Sequence, residues 1–433
     1  MSGIENSLKN LDSVESRKLR KIWDNLISTK TNSIQSVIVL GLIISAYLKT
    51  DVYSTIIKVL KEGQKLSNYS KEEILEHLFV NLLINKIKKS ITSEPIYDYI
   101  RNFRKYSKLS NEEIFNLKTL TLSREEHISL PESIGNLKNL EKLYLTKNKI
   151  TSLPKNLGKL SNLKELILYD NKLTSIPESL GNLSKLEVLD LSNNKLTLLP
   201  ESLGNLSKLE VLSLSNNKLT FLPESFGNLN NLKELHLSYN KLSSIPESIG
   251  NLSNLKKLDL SNEKLTSLPE SIGNLSNLKK LYLCDTMIEF LPESIGNLSN
   301  LKEFWLYGSE ITSLPESIGN LSNLQILSLI ANKLTSLPES IGDLSNLRDL
   351  WLSRNKLTSL PESIGDLSNL RELDLSNNEL NDQAQDVLKT LVMTNSVIIK
   401  LATDNFDFSE ELERNKRKEP APGRTTIKAV GFY

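Results

Sequence analysis

Apolar residues return along this chain with a period of 23. One unit places Leu163, Leu166, Leu168, Leu173, Ile176, Leu180 and Leu183 at fixed offsets, and the same offsets recur through most of the region from Leu117 to Leu380. Eleven Leu-Pro or Ile-Pro pairs keep the beat, with prolines at 131, 154, 177, 200, 223, 246, 269, 292, 315, 338 and 361. A constant period of this length predicts a solenoid, each unit being one coil stacked on the next. The alternation at Leu166-x-Leu168 predicts a short strand, with the leucines facing the core and Ile167 and Tyr169 facing out. Asn171 stands where the chain turns off the strand and can satisfy backbone groups there. Pro177 fixes φ at the start of the return segment, and Gly181 is expected to permit a bend on the outer side. A lone coil buries too little apolar surface to offset the entropy of ordering it, so stacking on neighbours is what makes the unit stable.

The consensus Leu-x-x-Leu-x-Leu-x-x-Asn-x-Leu-x-x-Leu-Pro-Glu-Ser-Ile-Gly-Asn-Leu resembles the 23-residue leucine-rich repeats of Ras-suppressor and Scribble-type proteins and of bacterial intracellular repeat proteins. The resemblance implies an α/β solenoid, a leucine-rich-repeat horseshoe with a parallel concave β-sheet. It also implies a non-enzymatic scaffold that binds a partner protein on the concave face, in signalling or as a bacterial effector. A small GTPase or a host protein is the partner class it suggests. The expected location is cytoplasmic, with a secreted effector acting in a host cell as the alternative.

The flanks lack the period. Residues 1–112 read as an all-α N-terminal domain capping the first coil. Ser70-x-x-Glu73 and Ser110-x-x-Glu113 are capping-box patterns, and Ser93 ahead of Glu94-Pro95 reads as a further helix start. Residues 113–380 hold about twelve coils, the first degenerate, with Glu125 at the asparagine position and His127 at a core leucine position. From 381 to 408, Ala384, Val387, Leu388, Leu391 and Val392 predict a helix that replaces the short return segment, followed by a final strand at Val397–Leu401. Residues 409–433 are charged and carry Pro and Gly, and are expected to be disordered.

Charge and cysteine content narrow the setting. The 53 basic and 52 acidic residues leave a net charge of +1, no general reason to expect nucleic acid. Residues 1–110 hold 18 Lys/Arg and 11 Asp/Glu, or +7, which leaves −6 for the remainder. The single cysteine, Cys284, excludes an intrachain disulfide and points to a reducing compartment. Ile34–Leu48 is the one membrane candidate. At 15 residues, interrupted by Gln35 and two serines, it falls short of the ~20 a span needs, so burial in the helical domain is expected. A membrane-anchored receptor or sensor using that stretch is the alternative. The chain is expected to be a monomer.

Function should sit where the repeats depart from their own consensus. Serine is the default at outward strand positions, yet Tyr282, Cys284, Trp305, Tyr307, Ile330 and Trp351 occupy such positions in four consecutive coils. Exposed clustered aromatics mark interfaces. These residues are the candidate partner-binding site, with Asp259, Asp285 and Arg354 supplying polar complementarity. Tyr144, Ile167 and Tyr169 form a weaker secondary patch. The turn asparagine becomes Glu263, Thr286 and Ser309 in three neighbouring coils, which suggests relaxed turn geometry at the rim. His236 lies two coils from Cys284, ~10 Å away, too far for a nucleophile–base pair. Metal-ligating residues do not cluster and no Gly-rich phosphate loop occurs, so no catalytic residue, cofactor or metal is expected. An unidentified activity in the N-terminal region, with the repeats selecting its substrate, is the remaining alternative.

Overall fold

A computed structural model of the chain describes residues 95–124, 129–394, 397–402 and 426–430. The stretch Ile34–Leu48, the pattern at Ser70–Glu73, and Glu125 and His127 lie outside the described residues. The chain divides after Ile114 into two units. In the first, helix α1 (Pro95–Arg101) starts on a proline, whose missing N–H would have had no helical partner there. It buries Ile96, Tyr97 and Ile100. Helix α2 (Asn111–Phe115) opens with a reciprocal capping box: the Ser110 N–H donates to Glu113 Oε2 at 2.7 Å, and the Glu113 N–H donates to Ser110 Oγ at 3.2 Å.

The second unit is built on one parallel sheet of fourteen strands in chain order. The first twelve have three residues each. They are β1 (Thr119–Thr121), β2 (Lys142–Tyr144), β3 (Glu165–Ile167), β4 (Val188–Asp190), β5 (Val211–Ser213) and β6 (Glu234–His236). Then come β7 (Lys257–Asp259), β8 (Lys280–Tyr282), β9 (Glu303–Trp305), β10 (Ile326–Ser328), β11 (Asp349–Trp351) and β12 (Glu372–Asp374). Each strand pairs with the next at an offset of one period, Leu166 opposite Leu189 and Leu281 opposite Phe304. The consensus apolar positions form the core: Leu163, Leu166, Leu168, Leu173, Leu180 and Leu183 are fully buried.

The turn asparagines join one coil to the next. Asn171 Nδ2 donates to Leu168 O in its own coil at 3.0 Å and to Leu145 O in the preceding one at 2.9 Å. Its Oδ1 accepts the Ile150 N–H at 3.1 Å. One side chain thus satisfies three buried backbone groups. The residue before it is left-handed in every described coil, from Arg124 (φ 65°) to Asn377 (φ 57°).

Return segments are five-residue 3-10 helices such as Glu178–Asn182, each following its proline. A coil of 23 residues leaves no room for more. The glycine in that helix serves a purpose other than the expected bend. A Cβ on Gly181 would fall inside contact distance of the Ser202 carbonyl in the next coil, so the residue is small because the coils touch there. After β12 the offset grows to 26 residues, Glu372 pairing with Ile398, and the extra length accommodates the thirteen-residue helix α3 (Asp382–Thr394). Strand β13 (Ile398–Ala402) follows, within a residue of the expected Val397–Leu401. The tail read from sequence as disordered contributes strand β14 (Thr426–Val430), which pairs with β13. Thr426, Ile427 and Val430 are β-branched, and the strand takes up the edge that β13 would otherwise leave open. Among the described residues no helix is long and apolar enough to cross a membrane.

Candidate functional site

Register sets the site. Asp259, Tyr282, Trp305, Ser328, Trp351 and Asp374 stand side by side across β7 to β12. With strands ~4.8 Å apart, Tyr282 and Trp305 stack, ring centroids 6.3 Å apart and planes 14° from parallel. Trp305 and Trp351 belong to strands that are not neighbours, yet their rings meet at 5.3 Å with a 55° tilt. Ser328 between them is small enough to let the indoles close over it. Ser328 is 0% exposed, and its Oγ has no hydrogen-bond partner among the described residues. The three rings remain half-exposed and form one packed array. Lys257 Nζ lies 5.7 Å from the Tyr282 ring centroid, on the side away from Trp305 in the strand order.

A rule links the polar tips of these rings to the next coil. The Tyr144 hydroxyl donates to Glu165 Oε2 at 2.5 Å, Tyr282 to Glu303 Oε2 at 3.3 Å, and Trp351 Nε1 to Glu372 Oε1 at 2.9 Å. Burial, reinforced by the Glu303 carboxylate, pushes the Tyr282 phenol up to about 12. At Trp305 the equivalent acceptor position holds Ile326, and the buried Trp305 Nε1 has no partner among the described residues.

The other expected residues divide. Tyr307 is 39% exposed, and Ile330 follows it on the next coil, half-exposed. Cys284, read from sequence as part of the exposed patch, is buried at 4% exposure. A short side chain beneath larger neighbours is easily covered: its N–H donates to Ser261 Oγ at 3.3 Å and its Sγ lies 3.7 Å from Trp305 O. Burial pushes the thiol up, so it is not a surface nucleophile. Asp259 is half-buried and spends Oδ1 on the Ser261 N–H at 3.1 Å, a local turn bond that Asp190 and Asp374 also make. Asp285 and Arg354 are exposed, both in left-handed turn positions (φ 53° and 58°) three coils apart. In the secondary patch Tyr144 stands opposite Ile167 and Tyr169 is 37% exposed.

The turn at the three substituted coils is not relaxed. Asn262, Asp285 and Gly308 keep left-handed φ of 59°, 53° and 66°, and Glu263, Thr286 and Ser309 are buried. Both Glu263 oxygens accept backbone N–H groups, from Asn240 and Leu242, at 2.6 Å. Thr286 Oγ1 and Ser309 Oγ instead lie 2.8 Å apart and 3.1 and 3.2 Å from Leu283 O, so their two hydroxyl protons are shared among three contacts. Three exposed residues of the same stretch escaped the sequence reading: Tyr239 (60%), Met287 (53%) and Phe290 (58%). Each breaks its column, tyrosine standing where six of the other eleven coils carry Asn or Asp and none carries an aromatic, methionine where most carry lysine, phenylalanine where most carry serine. Among the described residues no group of three His, Cys, Asp or Glu side chains is placed to hold a metal ion.

Comparison with known proteins agrees with this geometry. The family model of the leucine-rich repeat region matches residues 100–192, 155–242, 224–309 and 293–413. Among solved structures, a leucine-rich-repeat protein of Leptospira interrogans is 37% identical, covering 62% of this chain and 75% of its own, with a TM-score of 0.52. The plant peptide hormone receptor RGFR1, solved in complex with RGF2, is 32% identical over 63% of this chain and 46% of its own, TM-score 0.55. An internalin of Listeria monocytogenes is 25% identical over 70% of this chain and 94% of its own, TM-score 0.52. No curated protein sequence matches the chain. With its period, its asparagine ladder and family matches reaching from residue 100 to 413, the chain belongs to the leucine-rich-repeat family.

Proposed function

We propose that this chain is a non-enzymatic interaction module that binds a partner protein on the solvent-facing side of its sheet, centred on coils 8 to 11, each coil being numbered by its strand. The observation that carries this reading is the Tyr282–Trp305–Trp351 array, half-exposed where most other coils present serine or aspartate. Rings already packed on one another lose little conformational freedom on binding and offer a rigid apolar surface, the character of interface anchors. Tyr307 and Ile330 extend it, and exposed Asp285 and Arg354 provide a polar rim. That the 32% identical plant receptor was solved with a peptide hormone supports a polypeptide ligand. A single cysteine and no disulfide fit a reducing, cytoplasmic setting, as a signalling scaffold or as an effector inside a host cell.

The test is affinity capture with the full chain beside Trp305→Ala/Trp351→Ala and a control pair on the return segments, Ser202→Ala/Ser271→Ala. A protein retained by the wild type and the control but lost by the tryptophan pair, with cooperative melting retained by all three and the pair folded at the capture temperature, supports the site. Equal capture by all three overturns it.

A further inference from the structure

The residue just ahead of each strand forms a column of its own, held in register by backbone bonds. The N–H groups of Lys256, Lys279, Lys302, Gln325, Arg348 and Arg371 each donate to the carbonyl of the preceding member, beginning at Lys233, at 2.7–2.9 Å. In coils 1 to 5 the column reads Lys118, Glu141, Lys164, Glu187, Glu210, two basic and three acidic residues of mixed sign, with Lys118 and Lys164 both pairing with Glu141, at 3.1 and 2.9 Å. From coil 6 onward it is Lys233, Lys256, Lys279, Lys302, Gln325, Arg348, Arg371, with no acidic residue. Lys233 pairs with Glu210 at 2.7 Å. Lys256, Lys279, Lys302, Arg348 and Arg371 are exposed and make no ion pair among the described residues. The five unpaired cations, one ~4.8 Å strand step apart except across Gln325, repel one another, and nothing in the core requires them, because the same backbone bonds form where the column holds glutamate.

This row occupies the same coils as the aromatic array and runs beside it. Resting on the reading of that face as a binding surface, we infer that its partner is an acidic, extended polypeptide segment. Such a segment would set carboxylates over the Lys256–Arg371 row and an apolar side chain against Trp305 and Trp351. From Lys233 to Arg371 are six strand steps, about 29 Å, the length of about nine extended residues. A continuous phosphate chain fits less well. Between the cations and the rings the strands carry Asp349, while Glu303 and Glu372 there are paired with Lys280 and Lys400 at 2.9 and 2.6 Å, so the charge on that line alternates and does not match a ligand charged at every unit. The Tyr282 and Trp305 faces are turned to each other, and bases could not stack between them.

A phage library of randomised dodecapeptides selected on the full chain reads this directly. The expected result is enrichment of Asp and Glu together with an aromatic or aliphatic residue. The acidic enrichment should disappear on Lys256→Glu/Lys279→Glu/Lys302→Glu, and on the milder Lys256→Gln/Lys279→Gln/Lys302→Gln, while melting curves stay unchanged. Enrichment of neutral or basic peptides, no enrichment, binding of single-stranded poly(U) or phosphatidylserine vesicles in place of peptide, or self-association of the chain through the row each overturns the inference. The two proposals fail separately. If the tryptophan pair abolishes capture and the lysine variants do not, only the acidic character is wrong; if neither variant matters, the face itself is.

Discussion

Trp305 and Trp351 touch, ring centroids 5.3 Å apart, across a strand that lies between their own. The intervening Ser328 is sealed beneath them, its hydroxyl without a partner among the described residues, so the aromatic surface is a roof over a polar atom. Coupled indoles at this separation give a paired signal in circular dichroism. Trp351→Ala is expected to abolish that signal and to cost at least the ~0.5–1.5 kcal/mol that an aromatic pair is worth beyond its buried area, since the Trp351 bond to Glu372 is lost as well. A signal that persists in the variant would mean the rings do not pair in solution.

Trp305 breaks the tip-to-carboxylate rule because Ile326 occupies the acceptor position. Ile326→Glu should supply the missing partner for Nε1, shifting its indole N–H resonance downfield. Burying an unpaired donor costs about 1–3 kcal/mol, and part of that should return as stability. An unmoved resonance would show that the carboxylate does not reach.

Glu263 makes stability depend on pH. Burial pushes its carboxyl up to about 8, against the opposing pull of the Leu242 and Asn240 N–H donors, and Asp259 adds to the rise. Unfolding lets the group return to its ordinary value near 4.5. Between those limits the folded chain holds a proton that the unfolded chain has released, so stability falls as pH rises through the window and levels off above it. Melting temperatures of the wild type measured against Glu263→Gln should diverge in that direction. Glu263→Asn should raise stability at neutral pH by restoring the ladder donor. Parallel pH curves for wild type and Gln variant would contradict the assignment.

Equivalent glycines should respond unequally. A Cβ on Gly273 would meet the Ser294 carbonyl of the next coil, whereas one on Gly365 meets no atom of the described residues within 4 Å. Gly273→Ala should therefore destabilise by about 1–3 kcal/mol, as overpacking does. Gly365→Ala should be neutral or slightly stabilising, because no coil of the same kind follows it. Chemical denaturation of the two single variants decides the matter.

Much of the fold was legible because each repeat states its own geometry. The spacing of Leu166, Leu168 and Asn171 dictates a strand, an inward face and a turn. Its recurrence dictates parallel pairing at one period, and from that Tyr282 and Trp305 had to be neighbours. The helix at Asp382–Thr394 was legible too, as the one return segment with enough helix formers to extend. Cys284 was misread because face and burial are different properties. Its position looks outward, but how much solvent reaches it depends on the size of the side chains around it.

The sequence by itself determined the coil, its register and the columns that run along the sheet, since these follow from local periodicity repeated without a slip. Only the tertiary structure decided what happens between columns and between coils that are not adjacent: the indoles closing over Ser328, the carboxyl group of Glu263 buried under two amides, the close approach that makes Gly181 a glycine. Those outcomes depend on side-chain volume and on which polar atoms find partners in space, and neither quantity is written in the spacing of residues along the chain.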